Sequence, residues 1–591
     1  MKKENRQKSA ALVLVVCMVL SLFAACGAGK TVETEPAESA SAESATLVFR
    51  NGIIQTMVDE ADTAQAVAIK DNMIIYVGDD AGVEKYISNE TEVIDLNGQM
   101  MTPGFMDGHL HAPGIWIDQL YNIALNAYTT NEEYLKAIKD YIAANPDQVY
   151  YEGSTFQLNA YQLADGSNPG PQKADLDAIC TDKPIIIHDA SYHALWVNSA
   201  ALALAGITKD TPDPQGGLIK RDANGEPTGM LNDSAADLVT SVLPTKTYTD
   251  DQIQAAVEKF QEECNSYGMT GLTDIGTVVS PEIFRAMEAD GNLTLRVRIM
   301  PMVTTDQTPE EVIAEIKEIT DADTALVKGG TAKLFYDGVT EGGTAVFIEP
   351  YTEAAGKGDA WYGEPVWGQD SFEKMVVALD AAGLQIHVHA IGDAAVRGTL
   401  DAYEAAQTAN GKRDARHTIT HVCAIADSDI QRMADLKVVS ALQFLWMYAD
   451  PFYQLEAAYV GTERANAFYP TKNMIQAGCI LSGASDGPVS PYNILDEIEV
   501  GVTRNSPYEG EEQTDMHRWA EQGLTAYQML QAYTTNVAYE NFEEKEIGTI
   551  EVGKKADLVV LSQNILKCEP SAISDTQVVY TISDGRIVFG K

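Results

Sequence analysis

The chain has 591 residues, of which 45% are hydrophobic and 21% charged, and its formal net charge is −45 at pH 7. That composition is globular and excludes a disordered chain, while the acidic excess argues against nucleic acid as a partner and against adsorption to anionic lipid by charge alone. The length leaves room for a barrel-sized unit plus something smaller.

Lys2, Lys3, Arg6 and Lys8 precede an apolar run from Ala10 to Ala25, the pattern of a signal segment and short for a membrane span. Leu22-Phe-Ala-Ala-Cys26 resembles a bacterial lipobox, with Phe23 where leucine is usual. The resemblance implies that residues 1–25 are a signal peptide and that Cys26 carries lipid, so that the protein is extracytoplasmic and anchored to a membrane surface. A plain secretory signal and an uncleaved anchor are the alternatives. Residues 26–44 are acidic and lack large apolar side chains, so they read as a disordered tether. Beyond Cys17 and Cys26 the cysteines are Cys180, Cys264, Cys423, Cys479 and Cys568, odd in number and widely spaced. They read as buried thiols outside any disulfide framework.

From Thr46 to Gly78 short apolar runs alternate with turns at Asn51-Gly52 and Asp71-Asn72, which predicts antiparallel hairpins. The far end repeats the pattern in Ala556-Asp-Leu-Val-Val-Leu561, Val578-Val-Tyr-Thr-Ile582 and Arg586-Ile-Val588. Neither end can bury a core alone. Residues 45–102 and 545–591 are therefore expected to form one small β-sandwich domain.

Residues 103–544 alternate strand and helix signals, the pattern of an α/β fold closing as a TIM-type (β/α)8 barrel. Strands are predicted near 101–109, 270–275, 295–303, 331–336, 384–389, 416–421, 437–443 and 479–485, and helices at 251–267, 371–382 and 394–409. The interval 112–250 is too long for a βα loop and holds its own strand, Pro184-Ile-Ile-Ile-His188. It is expected to be a subdomain inserted over the barrel mouth, with a capped helix starting near Ala194.

Met101-Thr-Pro-Gly-Phe-Met-Asp-Gly-His-Leu-His111 ends the first barrel strand in H-x-H. Side chains two apart on a strand face the same side, so both imidazoles address one spot. A catalytic divalent site needs three or more protein ligands and a place for water, so more must arrive from other strands; a hydrogen-bonded histidine pair is the alternative. The other strand ends offer Lys333 with Asp337-Gly338, His387-Val-His389-Ala-Ile-Gly-Asp393, His417-Thr-Ile-Thr-His421 and Ser482-Gly-Ala-Ser-Asp486-Gly-Pro488. Six of the nine histidines lie in three of these strands, which a random scatter would not produce. In such a barrel the carboxyl ends of the strands converge on the active site.

These stretches, with Arg416-His417, Gly548-Thr-Ile-Glu-Val-Gly-Lys-Lys-Ala-Asp557, and Leu176-Asp177, His193-Ala-Leu-Trp-Val-Asn198 and Asp213-Pro-Gln-Gly-Gly217 of the insert, resemble the metal-dependent amidohydrolase superfamily. Within it they are similar to the family 3 branch that includes N-substituted formamide deformylases, over nearly everything from residue 46 onward. The resemblance implies one or two divalent ions, with zinc expected although imidazole and carboxylate also suit iron, manganese and nickel. It implies His109 and His111 as ligands from the first strand, Lys333 as a CO2-derived carbamate bridging two metals, His389 and His421 as ligands of the second metal, and Asp486 as ligand and catalytic base. An ammonium cannot ligate a cation, so the alternative for Lys333 is an ordinary lysine beside a single-metal site. His387 is placed a layer deeper than His389, and His417 in a supporting role. His193 and Gln443 are candidate substrate contacts, and Trp116, Tyr121, Phe444 and Trp446 line either the pocket or the core. Gly153-Ser-Thr-Phe156 departs from a Trp-Asp pair frequent in the family, which leaves the substrate open.

The expected reaction is hydrolysis of a non-peptide carbon–nitrogen bond, in an amide, formamide or cyclic amide of a small molecule, by metal-activated hydroxide with Asp486 moving the proton. An esterase, lactonase or phosphotriesterase using the same site is one alternative, and a non-catalytic surface binding lipoprotein another. A homodimer is left open.

Overall fold

The computed structural model describes residues 44–161, 169–189, 194–214, 217–233, 235–508 and 518–590. The signal segment, Cys26, all of the tether but Ser44, and His193 lie outside the described residues.

Eight strands form the central ring: β1 (Phe105–Leu110), β2 (Met269–Asp274), β3 (Arg296–Ile299), β4 (Thr331–Phe335), β5 (Gln385–Ala390), β6 (Thr418–His421), β7 (Val439–Leu442) and β8 (Ile480–Gly483). Parallel ladders run from β1 to β3 and from β4 to β8. Two seams join these arcs. Just past β3, the Val303 amide donates to the Lys333 carbonyl at 2.7 Å and the Lys333 amide to Pro301 at 3.0 Å. Past β8, the Asp486 amide donates to the His109 carbonyl, and the His111 amide to that of Gly487, both at 2.8 Å. The ring therefore closes as a TIM-type barrel without a free sheet edge, and its second seam is made by the residues of the site itself.

Its strands are buried along nearly their whole length, as parallel strands covered by helices must be. The covering helices include Asp250–Ser266, Pro309–Asp321, Gln369–Ala381 and Asp393–Asn410. The first two open on capping boxes, Thr249 with Gln252 and Thr308 with Glu311, so the sequence itself fixes where they begin.

The amino end alone forms a four-stranded sheet, and both chain ends share one of six strands, which joins Leu558–Leu561 to Met100–Pro103 and, through it, to Ile53–Gln55. Leu47, Phe49, Val67, Met101, Leu558, Val560 and Ile582 share one apolar cluster. Two local expectations change here. The stretch read as a single strand over 101–109 divides at Gly104: Met100–Pro103 belongs to the six-stranded sheet, and the chain joins the barrel only from Phe105. A Cβ at Gly104 would sit 2.4 Å from the Thr270 side chain, so a glycine is what lets the chain pass between sheets. The turn at Asn51-Gly52 joins strands of different sheets, whereas that at Asp71-Asn72 closes a true hairpin.

The insert holds a mixed six-stranded sheet running from Gly217–Arg221 to Ile123–Ala124, packed on Tyr134, Ile138, Phe156, Ile187 and Trp196. The helix expected near Ala194 begins later. Ala194–Val197 is a strand, as the β-prone Trp196 and Val197 favour, and Asn198 caps the helix Ser199–Leu204 by accepting from the Ala201 amide at 2.9 Å. Among the described residues the five cysteines are free, and no helix is long and apolar enough to cross a membrane.

Candidate metal centre

At the seam between β8 and β1, Asp486 Oδ1 lies 3.3 Å from His109 Nε2 and 3.2 Å from His111 Nε2. The local backbone makes this meeting unavoidable. Asp107, fully buried, accepts from the His109 amide at 2.9 Å and from the Ser485 amide at 3.1 Å, so one carboxylate pins both strand ends. Ser485 Oγ accepts from the Gly487 amide at 3.0 Å and tightens the turn that presents Asp486. Asp486 (φ +59°), His421 (φ +77°) and Val422 (φ +43°) all sit in the left-handed region. For a β-branched valine that is a strained conformation, of the sort that persists at functional sites when surrounding contacts over-determine it.

Around this trio the other predicted residues arrange themselves unequally. The His421 ring lies 5.5 Å from that of His109 and 4.5 Å from that of His389, centroid to centroid, so the four imidazoles form one continuous group with His111. His109, His111 and Asp486 present ligand atoms within 4.8 Å of one another. His389 turns Nε2 to the Gly338 carbonyl at 3.1 Å and stands outside that trio, and His421 lies beside it. Lys333 is fully buried, its Nζ over the Phe335 ring at 4.6 Å with no hydrogen-bond partner among the described residues.

The electrostatics suit a cation. Burial, followed by the field of Lys333 on His109 and His389, drives the imidazoles towards the neutral, ligating form; His109 and His421 fall well below the usual histidine value and His389 to about 3. Burial opposes ionisation of Asp486, yet the hydrogen bond from His111 and the fields of His421, His111 and Lys333 hold it below the ordinary carboxylate range. Burial pushes the Lys333 amine down to about 7, with Asp486 resisting. Two imidazole nitrogens facing one anionic oxygen, with an orphaned buried amine nearby, fit a divalent ion.

Gln443, read as a substrate contact, lies behind His421 instead. It is fully buried, its Oε1 2.8 Å from His421 Nδ1 and its Nε2 3.4 Å from Thr420 Oγ1. Since a carbonyl oxygen only accepts, His421 carries its proton on Nδ1 and aims an Nε2 lone pair elsewhere. Trp446 stacks on His421 at 5.3 Å with planes 4° apart, and Ser490 Oγ accepts from its indole nitrogen at 3.1 Å. His387 lies deeper than His389 and touches His109 Nδ1 at 3.0 Å. His417 sits at the opposite end of β6 beside Asp380.

Sequence reasoning gave no role to Asp107 or Asp274, and named Asp337 at a strand end without assigning it one. Asp274 accepts from the Ala112 amide at 2.9 Å, and burial raises its carboxyl to about 6. Asp337 accepts from the amides of Val346, Ile391 and Gly392 at 2.8–3.0 Å, so it organises the loop after β5, and burial raises it to about 7. The signal available was a lone carboxylate within or directly after an apolar strand, which is costly unless it has work to do.

A closed eight-stranded ring with histidines and an aspartate gathered at the carboxyl ends of its strands defines an amidohydrolase-type hydrolase. Residues 92–589 match the model described as "Amidohydrolase family", and the chain belongs to that family. It is 31% identical to YtcJ of Bacillus subtilis (strain 168) over 92% of this chain and 99% of that protein. It is 27% identical to the N-substituted formamide deformylase of Arthrobacter pascens over 91% of this chain and 97% of that protein. Among solved structures, an uncharacterised metal-dependent hydrolase from Pyrococcus horikoshii shares the fold, with a TM-score of 0.68 at 22% identity over 89% of this chain and 99% of that one.

Proposed function

We propose that the protein hydrolyses a non-peptide carbon–nitrogen bond in a small amide, formamide or cyclic amide. In this reading a divalent ion, zinc by preference, is held by His109, His111 and Asp486, with His389 and His421 completing the set. The observation that carries it is the convergence of His109 Nε2 and His111 Nε2 on one oxygen of a buried Asp486. The formamide deformylase of Arthrobacter pascens, matched over nearly its whole length, supports the bond class.

A bound divalent ion supplies positive charge for the carbonyl oxygen and acidity for water. Asp486, anionic and aimed into the site, accepts the proton of the attacking water and delivers it to the leaving nitrogen, which otherwise departs as an unfavourable anion. The Lys333 amine is buried beside the site, and its depressed basicity leaves part of it unprotonated near neutrality, the form that combines with CO2. The resulting carbamate would replace a buried cation by an anionic ligand and allow a second ion beside His389 and His421. Trp446, stacked behind His421, and Gln443 keep that imidazole in place.

Formamides, cyclic amides, esters and phosphotriesters should be assayed side by side, before and after chelation. Turnover of amides that is lost with the metal and returns with zinc is the expected result. Turnover of esters or phosphotriesters alone would move the enzyme to a different bond, and bound metal without turnover of any class would favour a surface binding protein. We also propose an extracytoplasmic location through lipid on Cys26, in which case Cys26→Ser should leave the membrane fraction.

A further inference from the structure

Beneath the candidate metal centre, inside the ring, lies a second polar group that the proposed reaction does not use. Glu540 ends the helix Thr535–Glu540 and is buried to 1% exposure. Room for its carboxylate is left by Gly108, since a Cβ there would meet Glu540 Oε2 at 3.1 Å. Thr418 donates its hydroxyl to Glu540 Oε1 at 3.1 Å, His387 Nδ1 lies 3.5 Å from the same oxygen, and Oε2 has no hydrogen-bond partner among the described residues. On its other side, His387 Nε2 is 3.0 Å from His109 Nδ1, with the two rings stacked at 4.9 Å and 17° apart.

Only one proton fits between His387 Nε2 and His109 Nδ1. Glu540 Oε1, which already accepts from Thr418, is placed to accept from His387 Nδ1 as well, and so draws the His387 proton onto Nδ1. His387 Nε2 then accepts from His109 Nδ1, and the lone pair of His109 is left on Nε2, facing His111 and Asp486. The reverse arrangement puts a proton on His109 Nε2, where Asp486 Oδ1 at 3.3 Å would welcome it and no ion could bind. We propose that Glu540, acting through His387, selects the ligating tautomer of His109 against the pull of Asp486 and thereby sets how tightly the centre holds its ion. Glu540 and His387 are positioning residues, not catalytic ones. The inference rests on the reading of His109 as a metal ligand.

The test uses the purified full-length protein, with Zn2+ affinity measured by competition against a chromophoric chelator and the Co2+ absorption spectrum recorded. If the wild type binds neither ion, the metal reading fails first and takes this inference with it. Given wild-type binding, Glu540→Gln, whose amide can donate to His387 Nδ1 and reverse the chain, should weaken affinity about 10- to 100-fold and shift the Co2+ bands. His387→Leu, which offers His109 no acceptor, should do the same, while His387→Gln, which offers a carbonyl oxygen, should recover most of the loss. Folded Glu540→Gln with wild-type affinity and spectrum would overturn the proposal. Should that variant fail to fold, the two His387 variants decide: equal affinities would overturn it, and the rescue would support it.

Discussion

β6 carries a histidine at each end of the ring, and each stands beside an aspartate-bearing group in a different electrical state. At the amino end, His417 Nε2 donates to Asp380 Oδ1 at 3.2 Å, while His417 Nδ1 accepts from the Ile386 amide at 3.1 Å. Asp380 also accepts from Arg413 at 2.7 Å and Asn410 at 2.8 Å, so every valence is answered from within the chain. At the carboxyl end the distances are equally short, but one oxygen of Asp486 faces two imidazole nitrogens and Lys333 Nζ has no hydrogen-bond partner among the described residues. The same side chains that lock the lower end leave the upper end short of a cation. Residue type does not separate structure from chemistry here; the balance of donors and acceptors does.

That contrast breaks if activity responds to the lower pair or stability alone to the upper one. The largest effect is expected at Asp486: Asp486→Asn should keep most of the bound metal and fold normally, yet lose at least about 1,000-fold in kcat. His109→Ala should instead lose the metal, as elemental analysis would show, and full activity in metal-free protein would sink the assignment altogether. Asp380→Ala should do the opposite, holding kcat within a few fold while costing about 1–3 kcal/mol of stability, because the buried His417 is left without its partner. Its pH signature has a definite sign. Although burial works to raise the Asp380 carboxyl, the hydrogen bonds from His417 and Asn410 and the nearby His417 and Arg413 charges hold it well below the usual range. Its stabilisation is complete above the ordinary carboxylate value and disappears as pH falls through the depressed one. Acid unfolding of the variant should lack that limb.

Gln443 sharpens the contrast from inside the upper site. Gln443→Leu removes the acceptor that keeps the His421 proton on Nδ1 and should weaken metal affinity about 10- to 100-fold while Asp486 continues to work on whatever metal remains. Titration with a chelator should therefore show lowered affinity with kcat per bound metal nearly intact. Equal loss in both would mean that Gln443 touches the substrate after all.

The upper site was legible in the sequence because period two on a strand brings His109 and His111 to one face, and because barrel topology gathers strand ends from distant parts of the chain. The same rule could not separate His387 from His389, which point alike. What separates them is the partner each meets, His109 across the ring for one and, just past the neighbouring β4, the Gly338 carbonyl for the other. Glu540 stayed hidden because a glutamate at a helix end is ordinary in sequence, and only the fold turns it inward beneath Gly108. The stretch from Met101 through Phe105 likewise concealed a change of sheet, marked in the sequence only by Pro103-Gly104. Asn51-Gly52 announced a turn without saying to which sheet the next strand would go. Local chemistry names turns and faces, while the partners across a ring come from the whole chain.

The smallest expected effect tests the upper site's deficit directly, through the stability of the metal-free protein. Burial, against the pull of Asp486, places the Lys333 amine at about 7, whereas in the unfolded chain it titrates near the ordinary lysine value of about 10.4. Between those values the unfolded chain binds the proton and the folded chain does not, so stability should rise with pH; below about 7 the folded state bears the full cost of a buried ammonium. The raised carboxyls of Asp107 and Asp337, both pushed up to about 7 by burial, have the opposite sign and act mainly below that pH. The buried thiols of Cys264 and Cys423, raised by burial, weigh in only as free thiols begin to ionise above about 8.5. Over the window from pH 7 to 8.5, comparison with a variant lacking the amine cancels the other buried groups, among them Glu497, whose carboxyl burial raises well above its usual value. Over that window, chelator-treated wild type should gain about 1–2 kcal/mol in denaturant unfolding relative to Lys333→Met, which has no ammonium to neutralise. Parallel pH dependences in the two proteins would mean that the amine finds its counter-charge within the chain, and the upper end of the ring would then be as self-sufficient as the lower.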